Sequence, residues 1–400
     1  MSQSLDVAVC ILGAGPVGAT LAARLAGAGI PTAIVDTAPL PPMELPEFDG
    51  RAYAIAAGSR ALLEAAGVWD RLPTDPNPIR HIRVADGRPG EPASRLKLDF
   101  SADDTGVDAF GWMLEARALR VALNARLPHL PNLSVFAPAR ATSERYADGA
   151  RVTLSDGTAI TARLVVGAEG RASPARRAAG IPELTHDYGQ TGIVGAVAHE
   201  HPHRDRALEL FLPNGPFAQL PMRGTAEHPH LSAIVWSETR AIAEAALRLP
   251  DEAYGREIAR RMGGHLGRVM PVGRRWSYPL SALHVARYVD TRLALVGDAA
   301  HGIHPIAGQG LNLGFRDAAA LADAVIAAAD PGAPEVLRRY QRDRRPDGLL
   351  MLGATHGLEA LFGNDIGAVR LARRLGIAAV DRMPRLKRFF ARRAMGLAAA

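Results

Sequence analysis

The stretch Leu293-Ala-Leu-Val-Gly297-Asp298-Ala-Ala-His301-Gly-Ile-His304-Pro305-Ile-Ala-Gly308-Gln309-Gly310-Leu311-Asn312-Leu-Gly314-Phe-Arg-Asp317 decides the reading of the chain. Leu293 to Val296 is a short apolar run, the pattern of a buried parallel strand. It ends at Gly297, and an acid, Asp298, follows at once. A carboxylate at a strand end can hydrogen-bond a polyol. The turn Gly308-Gln309-Gly310 then opens a helix expected from about Leu311 to Ala328. The start of that helix aims free N–H groups and a positive partial charge at whatever lies before it. A flavin, whose reduced ring is anionic along one edge, suits such a site better than a nicotinamide.

Working outward, the N-terminus supplies a second half-site. Leu5 to Leu12 reads as a buried strand, Val17 to Ala28 as a helix and Ile30 to Val35 as a second strand. Gly13-Ala14-Gly15-Pro16-Val17-Gly18 joins the first strand to the helix. Gly13 permits the tight turn, Gly15 lets backbone N–H groups approach a pyrophosphate, and Gly18 lets the helix pack on the sheet. Asp36 ends the second strand, near the separation at which a carboxylate receives ribose hydroxyls. This βαβ unit implies a dinucleotide without choosing which. Gly308-x-Gly310 starts no second such unit.

Between these ends, residues 37–50 read as a loop and Arg51 to Ala66 as a helix. Residues 73–98, with several Pro and Gly, leave the first domain. A helix is expected over Leu114–Leu127, and strands over Leu130–Ala137, Arg151–Leu154 and Ala159–Val166, the last two joined by an Asp156-Gly157 hairpin turn. Strand-like runs at Gly192–His199, Leu208–Leu212, Phe217–Pro221 and Leu231–Trp236 predict an antiparallel sheet. From Glu335 the tail reads as helical, with breaks near Pro346, Gly363 and Pro384. The fold class is α/β: a discontinuous Rossmann-like dinucleotide domain (1–72, 99–180, 271–332), an inserted antiparallel-sheet substrate domain (73–98, 181–270) and a helical C-terminal region (333–400).

Residues 304–317 match throughout the signature His-Pro-aliphatic-small-Gly-Gln-Gly-x-Asn-x-Gly-x-x-Asp. On these residues the chain resembles the FAD-dependent aromatic hydroxylases with the p-hydroxybenzoate hydroxylase fold, and more narrowly the ubiquinone-biosynthesis hydroxylases. The likeness extends over most of the chain. Asp49-Gly50-Arg51 resembles the segment whose Arg contacts FAD, which implies that role for Arg51. Glu115-Ala-Arg117 falls where the family places a helix over FAD, which implies a contact for Arg117. Gly215-Pro216 to Pro221 resembles the strand facing the substrate, and Met383-Pro384 to Gly396 is similar to the family's C-terminus. One departure stands out: Gly167-Ala168-Glu169-Gly170 carries Glu where the family usually has Asp. The resemblance implies an FAD site drawn from Gly13, Gly15, Pro16, Gly18, Asp36, Arg51, Arg117, Glu169, Gly297, Asp298, Gly308, Gln309, Gly310, Leu311 and Asn312.

It also implies a reaction. NAD(P)H reduces FAD, the reduced flavin traps O2 as a C4a-hydroperoxide, and the distal oxygen passes to an electron-rich ring, here a polyprenylated phenol or benzoquinone precursor of ubiquinone. His301, His304 and Pro305 are the catalytic candidates beside the flavin loop; the two histidines fit acid–base work and loop-shaping hydrogen bonds alike. A hydroxylase of another aromatic or polyketide-like substrate, a prenyl-chain reductase and a flavin-binding scaffold of a ubiquinone-biosynthesis complex are the alternatives. A halogenase is disfavoured, because Trp69, Trp112, Trp236 and Trp276 stand apart and form no Trp-x-Trp element.

Composition narrows the class further. In 400 residues there is one cysteine, Cys10, so neither an internal disulfide nor a cysteine metal site is expected. With no apolar run of spanning length and no signal-peptide pattern, the expected location is the cytoplasm. His199-x-His201-x-His203 reads as a surface turn rather than a metal site. The net charge of +6 is scattered and accompanies no nucleic-acid module. It does concentrate in the tail, at Arg373, Arg374, Arg382, Arg385, Lys387, Arg388, Arg392 and Arg393. A solvated helix face and a peripheral contact with anionic lipid both fit that pattern.

Overall fold

The computed structural model describes residues 4–40, 49–362, 376 and 379–396. The chain opens with β1 (Ser4–Leu12), α1 (Pro16–Gly27) and β2 (Thr32–Val35). From Val7 onward β1 is buried throughout, as a strand covered on both faces must be. Next come β3 (Ala52–Ala56), α2 (Ala57–Ala65), β4 (Asn77–Ile79), β5 (His81–Asp86), β6 (Lys97–Ser101), β7 (Gly111–Glu115) and α3 (Ala116–Arg126). β8 (Leu133–Phe136), β9 (Ala141–Arg145), β10 (Ala150–Leu154), β11 (Ala159–Gly167) and α4 (Pro174–Ala178) complete the first half.

The second half begins with β12 (Glu183–His199), β13 (Arg206–Leu212), β14 (Gly215–Met222) and β15 (Leu231–Thr239). It continues through α5 (Arg240–Leu247), α6 (Asp251–Arg261), β16 (Val269–Val285), β17 (Val289–Asp290), β18 (Leu293–Leu295) and β19 (His301–Gly302). It ends with α7 (Gln309–Ile326), α8 (Pro334–Phe362) and α9 (Pro384–Ala394).

Three sheets result. The first runs β17-β18-β11-β1-β2-β8, with β10 and β9 continuing from β11. Its centre is parallel: β1 lies between β11 and β2, and β18 joins β11 in parallel register. Helices α1 and α7 pack against each other beside it, so the main core forms from β1, β11, β18 and these helices. The second sheet runs β19-β16-β12-β15-β14-β13-β5-β6. One of its faces carries Trp236, Phe217, Leu210 and Leu208 and is buried with Ala243, Tyr254 and Ile258 of α5 and α6. The small third sheet is β3-β7-β4.

Several expectations change. The helix expected from Arg51 is a strand, β3, up to Ala56, and becomes helix only at Ala57. Helix propensity at Ala52, Ala54 and Ala56 is overridden by pairing with β7. Likewise Leu114 and Glu115, expected as helix, close β7. Pro346 does not break the tail: α8 runs through it. A proline inside a helix costs about 3 kcal/mol, and contacts on both sides offset this. Tyr340 Oη donates to the Leu295 carbonyl at 2.7 Å, and Arg344 pairs with Asp317 and Asp347. The break expected near Pro384 is present: helix ends at Asp381, Arg382 and Met383 leave it, and Pro384 starts α9. The expected break at Gly363 lies outside the described residues, as do Arg373 and Arg374. The boundary expected at residue 271 falls inside β16, which pairs with β12 over most of its 17 residues.

Candidate active site

The parallel strands of the first sheet end at one edge, and a cleft of about 1330 Å³ opens there. It exceeds the roughly 300–1,000 Å³ of ordinary small-molecule pockets. The cleft reaches from Gly13, Gly15 and Asp36 at the ends of β1 and β2 to Val194, Val235 and Leu220 on the second sheet. It is therefore a crevice at the carboxyl ends of parallel strands, continued onto an antiparallel face.

Two helices begin at this cleft. α1 starts at Pro16 and α7 at Gln309; their N-caps are Gly15 and Gly308, which offer no side-chain acceptor to the first-turn N–H groups. Both N-termini thus present donors and positive partial charge to one space. A Cβ on Gly15 or on Gly310 would meet nothing within 4 Å, so these positions leave backbone open to a close ligand. A Cβ on Gly13 would lie 2.5 Å from the Ala168 carbonyl oxygen, and one on Gly18 2.0 Å from that of Gly13. Gly13 and Gly18 therefore let α1, β1 and the Ala168 segment close on each other, while Gly15 and Gly310 form the cradle itself. Such a donor set fits a dinucleotide flavin.

Other predicted residues take defined places. Asp36 lines the cleft and braces its floor, accepting from Ala14 N at 2.6 Å and Ala38 N at 2.8 Å. Arg51 lines it too, with Nε 2.8 Å from Asp49 Oδ2 and its guanidinium 4.5 Å over the Trp276 ring. Trp276 in turn donates to the Asp49 carbonyl, so the pair fixes the arginine at the mouth. Gly297, with φ of +58°, lets β18 turn sharply into the cleft, where Asp298 is exposed. The close walls raise the Asp298 carboxyl above its ordinary value by desolvation, against the opposing charge of Arg171 3.9 Å away. Pro305, Gly308, Gly310 and Leu311 line the far side.

Glu169 shows how the extra methylene is used. The residue borders the cleft, but its Oε2 accepts from Ser173 Oγ at 2.6 Å and Ala175 N at 3.0 Å. The carboxylate bends back onto the first turn of α4, where Ser173 also caps Arg176 N. Burial raises its pKa, an effect the two hydrogen bonds oppose.

Some candidates lie outside the cleft lining. Arg117 sits 3.6 Å from Glu115; its neighbour on α3, Arg120, instead reaches the glycine turn, donating to the Ala14 carbonyl at 2.6 Å. Gln309 is not in the wall. Asn312 is buried and acts as a clamp: Oδ1 accepts from Ala56 N and Nδ2 donates to the Ala54 carbonyl, both at 2.8 Å, tying α7 to β3. The His301 ring is buried 2.5 Å from Asp317 Oδ2. His304 is fully buried; Nε2 donates to Gln190 Oε1 at 3.2 Å, and burial lowers its pKa to about 4. It is thus a neutral ring that holds the loop onto β12. Neither histidine ring meets the cleft. His199 and His203 are satisfied by Ser232 and by main-chain groups, and among the described residues no cluster has metal-binding geometry.

Sequence reading missed Tyr53, Arg171 and Tyr278, all cleft residues. Arg171 donates to the Ser281 carbonyl at 2.6 Å and so links the Glu169 segment to β16. Its position two residues past Glu169 was the available signal. Tyr278 lies on β16, which no turn or alternation signal revealed.

Comparison with known proteins agrees with this geometry. Residues 6–353 match the family model described as FAD binding domain. The chain is 50% identical to the ubiquinone hydroxylase UbiL of Rhodospirillum rubrum, over 97% of this chain and 89% of the relative. It is 33% identical to the 3-demethoxyubiquinol 3-hydroxylase of Escherichia coli, over 97% and 98%. Among solved structures, PqsL of Pseudomonas aeruginosa in complex with 2-aminobenzoylacetate superposes with a TM-score of 0.74 at 25% identity, covering 93% of this chain and 100% of that one. The p-nitrophenol 4-monooxygenase PnpA of Pseudomonas putida shares the fold with a TM-score of 0.79 at 20% identity, over the whole of both chains. The chain belongs to the FAD-binding monooxygenases, within the family of ubiquinone-biosynthesis hydroxylases.

Proposed function

We propose that this enzyme hydroxylates the ring of a polyprenylated phenol or quinol precursor of ubiquinone, with FAD as cofactor, NAD(P)H as reductant and O2 as oxidant. In balance, ArH, O2, NAD(P)H and a proton give ArOH, NAD(P)⁺ and water. The observation that carries the reading is the single cleft joining the glycine cradles of α1 and α7 to the apolar Val194, Leu220 and Val235 face. Bound FAD supplies hydride acceptance and oxygen activation. The chain's own residues position and exclude water. Gly13, Gly15, Pro16 and the α1 N-terminus hold the pyrophosphate, Asp36 the ribose, Asp298 the ribityl chain, and Gly308, Gly310, Leu311 and the α7 N-terminus the ring edge. Arg51 closes over the cofactor from the mouth, and Pro305 shapes the ring's far side. The first sheet with α1 and α7 forms the FAD unit; the cleft-side face of the second sheet forms the substrate unit.

The substrate's lipid solubility fits the C-terminal region. No described helix is long and apolar enough to cross a membrane. α9 is anchored by Ala391, which packs with Met395, Ala102 and Phe110, while Met383 and Phe389 are 52% and 47% exposed among Arg382, Arg385 and Arg388. We assign this face to peripheral contact with an anionic bilayer, at the cytoplasmic side, where other ubiquinone-biosynthesis proteins would meet the enzyme. Co-sedimentation with anionic vesicles, and its loss when the three arginines become Gln, tests the contact. The reaction is tested with purified enzyme, NAD(P)H and a short-chain quinol precursor under isotopically heavy O2. One heavy oxygen in the product is expected; NAD(P)H oxidation with an unmodified ring would overturn the reading.

A further inference from the structure

The largely apolar face that ends the cleft carries a carboxyl group at Glu209 and, one pair further along β13 and β5, another at Asp86. Directly paired residues on neighbouring strands share a face. Val194 of β12 pairs with Trp276 and with Val235, Val235 with Ala218, Ala218 with Glu209, and Glu209 with Val84. Trp276, Val194, Val235, Ala218, Glu209 and Val84 thus form one row across the second sheet. Val194 and Val235 line the cleft, and Trp276 stacks on Arg51 at its mouth. Leu208 and Leu210, flanking Glu209, point to the opposite face and are buried with α5 and α6. Glu209 therefore rises on the cleft side.

Its surroundings are unusual for a carboxylate. The pairing partners, Ala218 and Val84, are apolar, and Glu209 is only partly accessible. Among the described residues it has no hydrogen-bond or ion-pair partner, whereas Asp99, Glu169 and Glu238 all have one. Burial pushes its carboxyl up to about 8, with no neighbouring charge opposing it. A protonated carboxyl has an O–H to donate, and an isolated donor in an apolar wall gains most from an oxygen brought by a ligand. β13 borders β14, whose Leu220 lines the cleft, at one strand spacing of about 5 Å.

We propose that Glu209 is a substrate-binding residue that donates a hydrogen bond to a hydroxyl, methoxyl or carbonyl oxygen on the aromatic ring and so selects oxygenated rings. The assignment rests on the function proposed above and adds the group that reads the ring. A neutral donor in a wall of valine, leucine and alanine recognises an uncharged phenol or quinol and disfavours an aromatic carboxylate, whose charge would lie unpaired against it.

The test uses the FAD-loaded enzyme with the variants Glu209→Leu and Glu209→Gln. Ring binding is followed by flavin absorbance, using short-chain isoprenyl phenols with and without a second ring oxygen. Glu209→Leu is expected to weaken the doubly oxygenated ring about tenfold, the loss of one buried hydrogen bond, and to leave FAD content unchanged. Glu209→Gln, which keeps a donor, should stay within about threefold. The ring without the second oxygen should bind both variants and the wild type alike. Equal binding of the oxygenated ring by Glu209→Leu and wild type overturns the proposal. If Glu209→Leu fails to fold, the wild type decides: equal affinity for the two rings overturns it. A wild type that binds simple phenols but no isoprenylated ring refutes the proposed substrate class, and Glu209 is then judged on phenol against unsubstituted benzene.

Discussion

Asp317 joins three elements through one carboxylate: His301 Nε2 lies 2.5 Å from its Oδ2, and Arg344 Nε donates to its Oδ1 at 2.9 Å. The same Oδ2 accepts from Gly297 N at 3.0 Å. The last residue of the sequence signature thus fixes the turn that presents Asp298, the strand β19 and the tail helix α8. Asp317 is fully buried, so removing it strands three partners: His301, Arg344 and the Gly297 N–H. Asp317→Ala is expected to cost about 3–5 kcal/mol and to release FAD. Thermal unfolding with flavin fluorescence checks this; an unchanged transition would refute the pin.

Acid should weaken the fold in two stages. His199, His284 and His304 are buried, and burial lowers each to about 4. The unfolded chain binds their protons near pH 6.5 and the native one only near 4, so stability falls as pH drops through that window. Burial alone would raise Asp317, but His301 and Arg344 outweigh it and hold it below the usual carboxylate value. Its contribution is present above pH 4 and is lost only below. Denaturation midpoints from pH 7 to 4 should decline, and His304→Gln should flatten the upper part of that slope.

The glycines separate by what a methyl would strike. Gly18→Ala drives a Cβ to within 2.0 Å of main chain and should destabilise the fold with or without flavin. Gly15→Ala meets no protein atom and should fold normally while weakening FAD by tenfold or more, because the methyl enters the cradle. Apo-protein melting and FAD titration, measured together, distinguish the two; identical behaviour would contradict the division of roles.

Restoring the family's aspartate at 169 should do harm. The shorter arm of Glu169→Asp withdraws from Ser173 Oγ and Ala175 N, losing about 1 kcal/mol per hydrogen bond. A lower melting temperature with an unaltered flavin spectrum is expected. A shifted spectrum would mean that Glu169 touches the flavin ring instead.

What the sequence displayed, and what it hid, follows from how each feature is encoded. The glycine turns, Asp36 and Asp298 were legible as cleft residues because they follow directly on short apolar strand runs. The hairpin at Asp156-Gly157 was legible from its turn chemistry. β3 was hidden because Ala52 to Ala56 favours helix in isolation and becomes strand only through pairing with β7. β16 was hidden because its long run alternates poorly, with Arg275 reaching the carbonyls of Leu247 and Leu249 and Tyr278 lining the cleft. His301 and His304 were legible as present, but not as turned inward. Their partners, Asp317 and Gln190, stand 16 and 114 residues away.

The central claim is that the cleft serves hydroxylation of a ubiquinone precursor. The most direct measurement is mass spectrometry of the isoprenoid quinones of cells lacking this chain. Accumulation of an intermediate short of a ring oxygen, cleared by the wild-type gene and not by Asp298→Ala, is the predicted result. An unchanged quinone profile in the deletion would contradict it.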